Sequence, residues 1–123
     1  MGESAKVMVM NFQDVDDFEW TFQKLQRSIH DNALSHGFWD GNCAIGTKLM
    51  LVCTELGEAM EAHRDNYPKD KHLPHLDNFT VELADAVIRI MDLAQKLNLD
   101  LSGAILAKHE FNKSRPHKHG KVC

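Results

Sequence analysis

Four acidic residues of the sequence form two pairs with the same spacing. Glu55 and Glu58 are the first pair, and Glu82 and Asp85 are the second, with two residues between the acids of each pair. On an α-helix, side chains three residues apart lie about 60° apart around the axis and roughly one turn apart along it. If both segments are helical, the two carboxylates of each pair can therefore bind the same ligand.

Carboxylates that are held close together repel one another, so a protein that clusters them normally supplies a cation. Oxygen ligands of this kind select hard divalent ions over metals that prefer thiolates. The residues next to the four acids are small or apolar, so part of the set must lie near the core, where an unpaired carboxylate is costly. The pattern therefore predicts a site for Mg²⁺, Mn²⁺ or Ca²⁺ at Glu55, Glu58, Glu82 and Asp85. Of these ions Mg²⁺ is favoured, with Mn²⁺ as a substitute.

The alternative is that these acids are only the solvated faces of two amphipathic helices, which is the more common situation for any single pair. The presence of two pairs on successive predicted helices favours the metal site. Glu61 adds a further three-residue step, but it is rotated by about 120° from Glu55. We therefore interpret Glu61 as a group that orients a ligand or activates a water molecule.

Apolar residues at spacings of three and four predict four helices, at about residues 14–36, 44–64, 78–98 and 101–113. Gly37 is expected to end the first helix, and Asp77 or Asn78 and then Asp100 are suitable N-caps for the last two. No segment has the alternation of a strand. The predicted fold is all-α, a single four-helix-bundle-like domain with a flexible N-terminus and C-terminal tail.

The second and third helices carry broad apolar stripes that we expect to be buried. In the second helix the stripe consists of Ile45, Leu49, Val52, Leu56 and Met60. In the third helix it consists of Val81, Ala84, Val87, Ile88, Met91, Ala94 and Leu97. Because the helices of one chain are not expected to cover such broad stripes completely, we expect a homodimer or a homotetramer.

Composition excludes several classes of protein. At 123 residues, with 43% hydrophobic and 26% charged residues, the chain fits one folded domain. Its formal charge of -4 argues against binding to nucleic-acid polymers or anionic membranes. No apolar stretch reaches the ~18 residues of a membrane span. Cys43, Cys53 and Cys123 lack CxxC spacing, and no leader opens the chain, so we expect reduced thiols and a cytoplasmic protein.

The ELGE segment at residues 55–58, followed by ELAD at residues 82–85, is similar to the ExxE…ExxD signature of MazG-like nucleoside triphosphate pyrophosphohydrolases. This all-α family is related to dimeric dUTPases and phosphoribosyl-ATP pyrophosphohydrolases. The segment from His30 to Asp40 resembles the aromatic turn that precedes the second helix in many small MazG-like proteins. The family's C-terminal phosphate-contacting pattern is similar to Lys108, Asn112 and Arg115.

The resemblance implies Mg²⁺-dependent hydrolysis of a (deoxy)nucleoside triphosphate to a monophosphate and pyrophosphate, as in the removal of surplus or non-standard nucleotides. Metal ions neutralise charge on phosphate oxygens and lower the pKa of bound water. Glu55 and Glu58 are the candidates to orient that water. The alternative function is a non-catalytic helical module that binds nucleotide or metal, or that serves only in oligomerisation.

Candidate substrate-binding residues lie on both sides of the acids. Lys108, Asn112 and Arg115 have helical spacing and offer donors for phosphate oxygens, although basic residues at a helix end also complement its dipole. Trp39, Phe38 and His30 are candidates to stack on the base or to form a hydrogen bond with it. Trp39 is favoured over His30, because packing explains an aromatic residue in a loop less well than one inside a helix.

Two further cations, Lys48 and Arg89, share the faces of the acids. Lys48 precedes Glu55 by seven residues, and Arg89 follows Glu82 by seven residues. A contact with substrate and a simple balancing of the acidic charge explain these positions equally well.

Overall fold

The computed structural model describes residues 6–122, apart from the side chain of His119. Within that range the chain forms four α-helices and no strand, which confirms the predicted all-α class. The helices are α1, Phe12–Ser35; α2, Ile45–Arg64; α3, Asn78–Lys96; and α4, Leu101–Lys113. Each helix begins and ends within two residues of its predicted bounds. None of these helices combines the length and the hydropathy needed to cross a membrane.

The predicted flexible ends can be compared with the structure only in part. The N-terminal prediction falls partly on residues 1–5, which lie outside the described residues together with Cys123. At the other end, residues His117–Gly120 form a 3₁₀ turn within the predicted tail.

The chain divides into two compact units. One contains the described residues up to Lys24 and those from Asp100 onward, and the other is Leu25–Leu99. The second unit contains the C-terminal part of α1, all of α2 and all of α3, and α2 packs against α3. All four predicted metal ligands therefore belong to the same unit.

Side-chain caps fix the beginnings of the last two helices. Asp77 accepts hydrogen bonds from the backbone nitrogen of Thr80 at 2.8 Å and from its hydroxyl at 2.9 Å. Asp100 accepts a hydrogen bond from the backbone nitrogen of Gly103 at 3.0 Å. Both residues satisfy amide groups that have no partner inside the helix, which confirms them as N-caps.

The segment between α2 and α3 is closed by hydrogen bonds around Asp70. This buried carboxylate accepts from the backbone nitrogens of His72 and Leu73, each at 2.9 Å. The backbone nitrogen of Asn78 also donates to the Pro68 carbonyl at 2.7 Å. These bonds fix the position at which α3 begins, and with it the positions of the acids on its first turns.

The buried side of α2 is not the predicted one. Its buried residues are Lys48, Glu55, Ala59 and Ala62. Val52 is half-buried. The other four residues of the predicted stripe are exposed, by 40% to 52%: Ile45, Leu49, Leu56 and Met60. The prediction was wrong because the two alanines allow another helix to approach the acid-bearing side of α2, and the large apolar side chains point away from it.

On α3 the predicted stripe is also buried only in part. Met91 and Ala94 are buried, as expected, but Val87 and Ile88 are 51% and 42% exposed. Helices α2 and α3 therefore both present apolar side chains to the surroundings of the chain.

Candidate functional site

The two predicted acidic pairs meet where α2 packs against α3. One carboxylate oxygen from each of Glu55, Glu82 and Asp85 lies within 4.8 Å of the other two. Glu55 is buried, and Glu82 and Asp85 are half-buried. These three residues are the acid cluster. Their oxygens are hard ligands at a spacing that one divalent ion could bridge.

Glu58 lies at the edge of the acid cluster. It is exposed, and it is close enough to Glu55 and Glu82 to influence the pKa of both carboxyls. All four predicted ligands are thus neighbours. Glu61 instead forms an exposed pair with Arg64, 3.5 Å away.

The environment of Glu82 and Asp85 opposes negative charge. Burial, followed by the hydrogen bonds and charges of Glu55 and Glu58, raises the pKa of Glu82 to about 8. Burial and the charge of Glu55 also raise the pKa of Asp85 above its ordinary value. Among the described residues, no group donates to the buried Oε2 atom of Glu82. A divalent ion fits this donor set, since it would replace the proton of Glu82 and bind the unpartnered oxygen.

Arg89 keeps one member of the acid cluster ionised. Its Nε donates to Oε1 of Glu55 at 2.8 Å. Burial raises the pKa of Glu55, but the hydrogen bond and charge of Arg89, with hydrogen bonds from Glu82 and Glu58, outweigh burial and lower this pKa. Neighbouring carboxyls whose pKa values are driven apart are typical of sites that use one as an acid and one as a base.

Hydrogen bonds of Asn78, which were not predicted, extend the acid cluster toward the loop before α3. With its amide nitrogen turned toward them, Asn78 donates to Asp70 at 2.9 Å and to Oε1 of Glu82 at 3.3 Å. The sequence does contain a signal for this row of polar side chains. Polar residues recur along α3 at steps of four and three: Asn78, Glu82, Asp85, Arg89 and Asp92.

A cavity of about 500 Å³ adjoins the acid cluster. This volume is typical of pockets that bind small molecules. The lining combines apolar residues of α1 and of the turn after it with charged residues of α2 and α3. The charged residues are Lys48, Glu55, Asp85, Arg89 and Asp92.

Trp39 and His30 both contact Asp92, which lines this cavity. The indole nitrogen of Trp39 is 3.0 Å from each carboxylate oxygen of Asp92, and Nδ1 of His30 is 2.7 Å from Oδ1. Neither aromatic residue lines the cavity, whereas Asp92 and Phe38 do. The structure thus brings the predicted base-contacting residues Trp39 and His30 together at Asp92, which was not predicted.

Lys108, Asn112 and Arg115 belong to the other compact unit. The Nζ atom of Lys108 is 4.7 Å from the ring centroid of Phe111, and the guanidinium of Arg115 is 5.8 Å from it. Asn112 is half-buried, and among the described residues nothing donates to its Oδ1 atom. Because α4 ends at Lys113, Arg115 lies beyond the helix. The contact of this trio with phosphate remains a prediction.

Comparison with known proteins adds no relative. The chain matches no protein-family model, and comparison with curated proteins and with solved structures gives no significant match. The resemblance to MazG-like enzymes therefore depends on the motifs of the sequence.

Proposed function

We propose that the chain is a MazG-like nucleoside triphosphate pyrophosphohydrolase that uses Mg²⁺. The observation that supports this proposal most directly is the acid cluster, where oxygens of Glu55, Glu82 and Asp85 lie within 4.8 Å of one another. They adjoin a cavity of the size expected for a small ligand. In the proposal these three residues and Glu58 hold the ion.

When bound, Mg²⁺ supplies neutralisation of phosphate charge and a lower pKa for water. Arg89 holds Glu55 ionised and fixes its carboxylate through the 2.8 Å hydrogen bond. Glu58 is the exposed carboxylate of the four. It is therefore the best placed to accept a proton from the attacking water, whereas Glu55 is occupied by Arg89.

The proposal includes self-association into a homodimer or homotetramer in the cytoplasm. It is supported by the exposed apolar residues of α2 and α3, such as Leu49, Leu56 and Val87. Exposed apolar side chains on neighbouring helices are commonly buried in interfaces between identical chains.

The test is the release of pyrophosphate from a panel of ribo- and deoxyribonucleoside triphosphates with Mg²⁺. Glu58→Gln and Asp85→Asn should each lower turnover by about a hundredfold or more while retaining helicity. Glu110→Gln is the matched control, because this exposed acid pairs with Lys113 on α4. Full activity in both of the first two variants would refute the metal site.

The second candidate is a helical module that binds nucleotide or metal without turnover. One observation favours it: Arg89 compensates the charge of Glu55 through a hydrogen bond of 2.8 Å, so a cation of the protein already pairs with one of the predicted ligands. Calorimetric binding of nucleoside triphosphate together with no pyrophosphate release from any substrate would select this function.

A further inference from the structure

Lys48 is the buried lysine of the described chain, with only 9% of its surface exposed. It lies on the acid-bearing side of α2, seven residues before Glu55. This separation corresponds to about 10 Å along the helix axis. Its position at the cavity lining is therefore near the acid cluster but clearly separate from it.

The ammonium group of Lys48 has fewer hydrogen-bond acceptors around it than it has donors. Nζ donates to the carbonyl oxygen of Phe38 at 2.6 Å and lies 4.2 Å from the ring centroid of Trp39. An ammonium group has three donors. Within the part of the chain that the structure describes, no carboxylate forms an ion pair with Lys48.

This situation differs from that of Arg89, the other cation of the cavity lining. Arg89 is neutralised by Glu55 at 2.8 Å. A buried positive charge is costly unless an opposite charge or a full set of hydrogen bonds compensates it. Lys48 has one carbonyl and one aromatic face, so an anion in the cavity would complete its environment.

We propose that Lys48 binds a phosphoryl group of the substrate, inside the same cavity that the acid cluster adjoins. The identity of the anion as part of a triphosphate rests on the proposed function. Phe38 and Trp39 hold the ammonium group in place, and the polyphosphate chain extends from the acid cluster toward it. This subsite is separate from Lys108, Asn112 and Arg115.

The first test is a titration with inorganic tripolyphosphate in the presence of Mg²⁺, followed by the fluorescence of Trp39 in a Trp20→Phe background. A saturable change is expected. Lys48→Met should weaken binding by about tenfold or more, whereas Lys48→Arg, which keeps the charge, should retain most of the affinity. Lys96→Met is the matched control, because Lys96 also lies over the Trp39 ring, at 5.4 Å, but is exposed.

Equal binding by Lys48→Met and the original chain would overturn the inference. Equal losses in Lys48→Met and Lys48→Arg, with unchanged thermal unfolding, would overturn it as well, since charge would then not matter. The original chain provides a second measurement that needs no variant. Tripolyphosphate should protect Lys48, but not Lys96, from acetylation by acetic anhydride, measured by mass spectrometry, and a nucleoside without phosphate should protect neither.

The outcomes separate this inference from the proposed function. Binding of tripolyphosphate that depends on Lys48, without pyrophosphate release from any nucleotide, would support the anion site and reject the hydrolase. Turnover with an unchanged KM in Lys48→Met would support the hydrolase and reject the role of Lys48.

Discussion

Arg89 on α3 donates a 2.8 Å hydrogen bond to Glu55 on α2, and so joins the two helices that carry the acid cluster. The side chain of Glu55 is 9% exposed, and that of Arg89 is 35% exposed. The carboxylate of Glu55 therefore lies where water screens charge poorly, whereas Arg89 is partly in contact with solvent. Without Arg89, Glu55 would be a buried carboxylate beside two other acids.

We expect Arg89→Met to lower the free energy of unfolding by roughly 1–3 kcal/mol in metal-free protein, because it leaves a buried acceptor without its donor. Chemical denaturation with a chelator present measures this loss. Arg64→Met is the control, since its pair with Glu61 is 70% and 75% exposed and should contribute less than about 1 kcal/mol. Equal effects of both substitutions would contradict the structural role of the Arg89 pair.

Glu82 should make the stability of the metal-free protein depend on pH. Its pKa is about 8 in the folded chain, against 4.5 as the ordinary value. Between these values the folded protein holds a proton that the unfolded chain releases, so stability should fall as pH rises through this window. Bound Mg²⁺ would displace the proton, so the rise in Tm caused by Mg²⁺ should increase between about pH 6 and about pH 9.

Thermal unfolding with chelator and with Mg²⁺, across that range, measures both effects. Glu82→Gln should remove most of the pH dependence of the metal-free protein. A rise in Tm with Mg²⁺ that does not change with pH, or no rise at all, would count against Glu82 as a ligand.

Asp77 should make α3 sensitive to acid. Hydrogen bonds from the backbone and then the hydroxyl of Thr80 hold the pKa of Asp77 below its ordinary value of 3.8. The stabilisation is therefore present above that value and is lost as pH falls through the lower, folded pKa. Asp77→Ala should lower Tm at neutral pH, because amide groups of the first turn lose their acceptor.

Asp77→Asn separates the two contributions in the same thermal unfolding experiment. Its amide oxygen can still cap the helix, so Tm at neutral pH should stay close to that of the original chain, while the loss of stability in acid should become smaller. An alanine variant as stable as the original chain would show that the cap contributes nothing.

The exposed apolar residues of α2 should determine the oligomeric state. If a second copy covers them, Leu56→Glu places a charge in that interface and should shift the protein to a smaller species. Sedimentation velocity at several protein concentrations measures the shift. Thr54→Glu is a suitable control, since Thr54 is an exposed polar residue on the same helix. A monomeric original chain would refute self-association.

The sequence predicted the helices well because their ends are encoded locally. Asp77 and Asp100 cap helices through side chains that reach only three residues along the chain. Gly37, with a φ of +79°, adopts a left-handed conformation that favours glycine just after α1. Such signals need no knowledge of the tertiary fold.

The acid cluster was also accessible from sequence, because helical spacing places each acidic pair on one face. The surroundings of the cluster were not. His30 and Trp39 are separated from Asp92 by 62 and 53 positions in the sequence. No local sequence pattern predicts contacts between residues so far apart. The buried face of α2 was predicted wrongly because it is marked by the small side chains of Ala59 and Ala62, and not by the large apolar residues of the helix.

Helix α2 holds charged side chains on its buried side and large apolar ones on its exposed side. If association covers the apolar side, then the Tm of this protein is not a fixed property of one chain, because it will rise with protein concentration as well as with bound ion. Substitutions at Leu49 or Met60 should then matter most in dilute solution, whereas substitutions at Lys48 or Glu55 should have the same effect at every concentration.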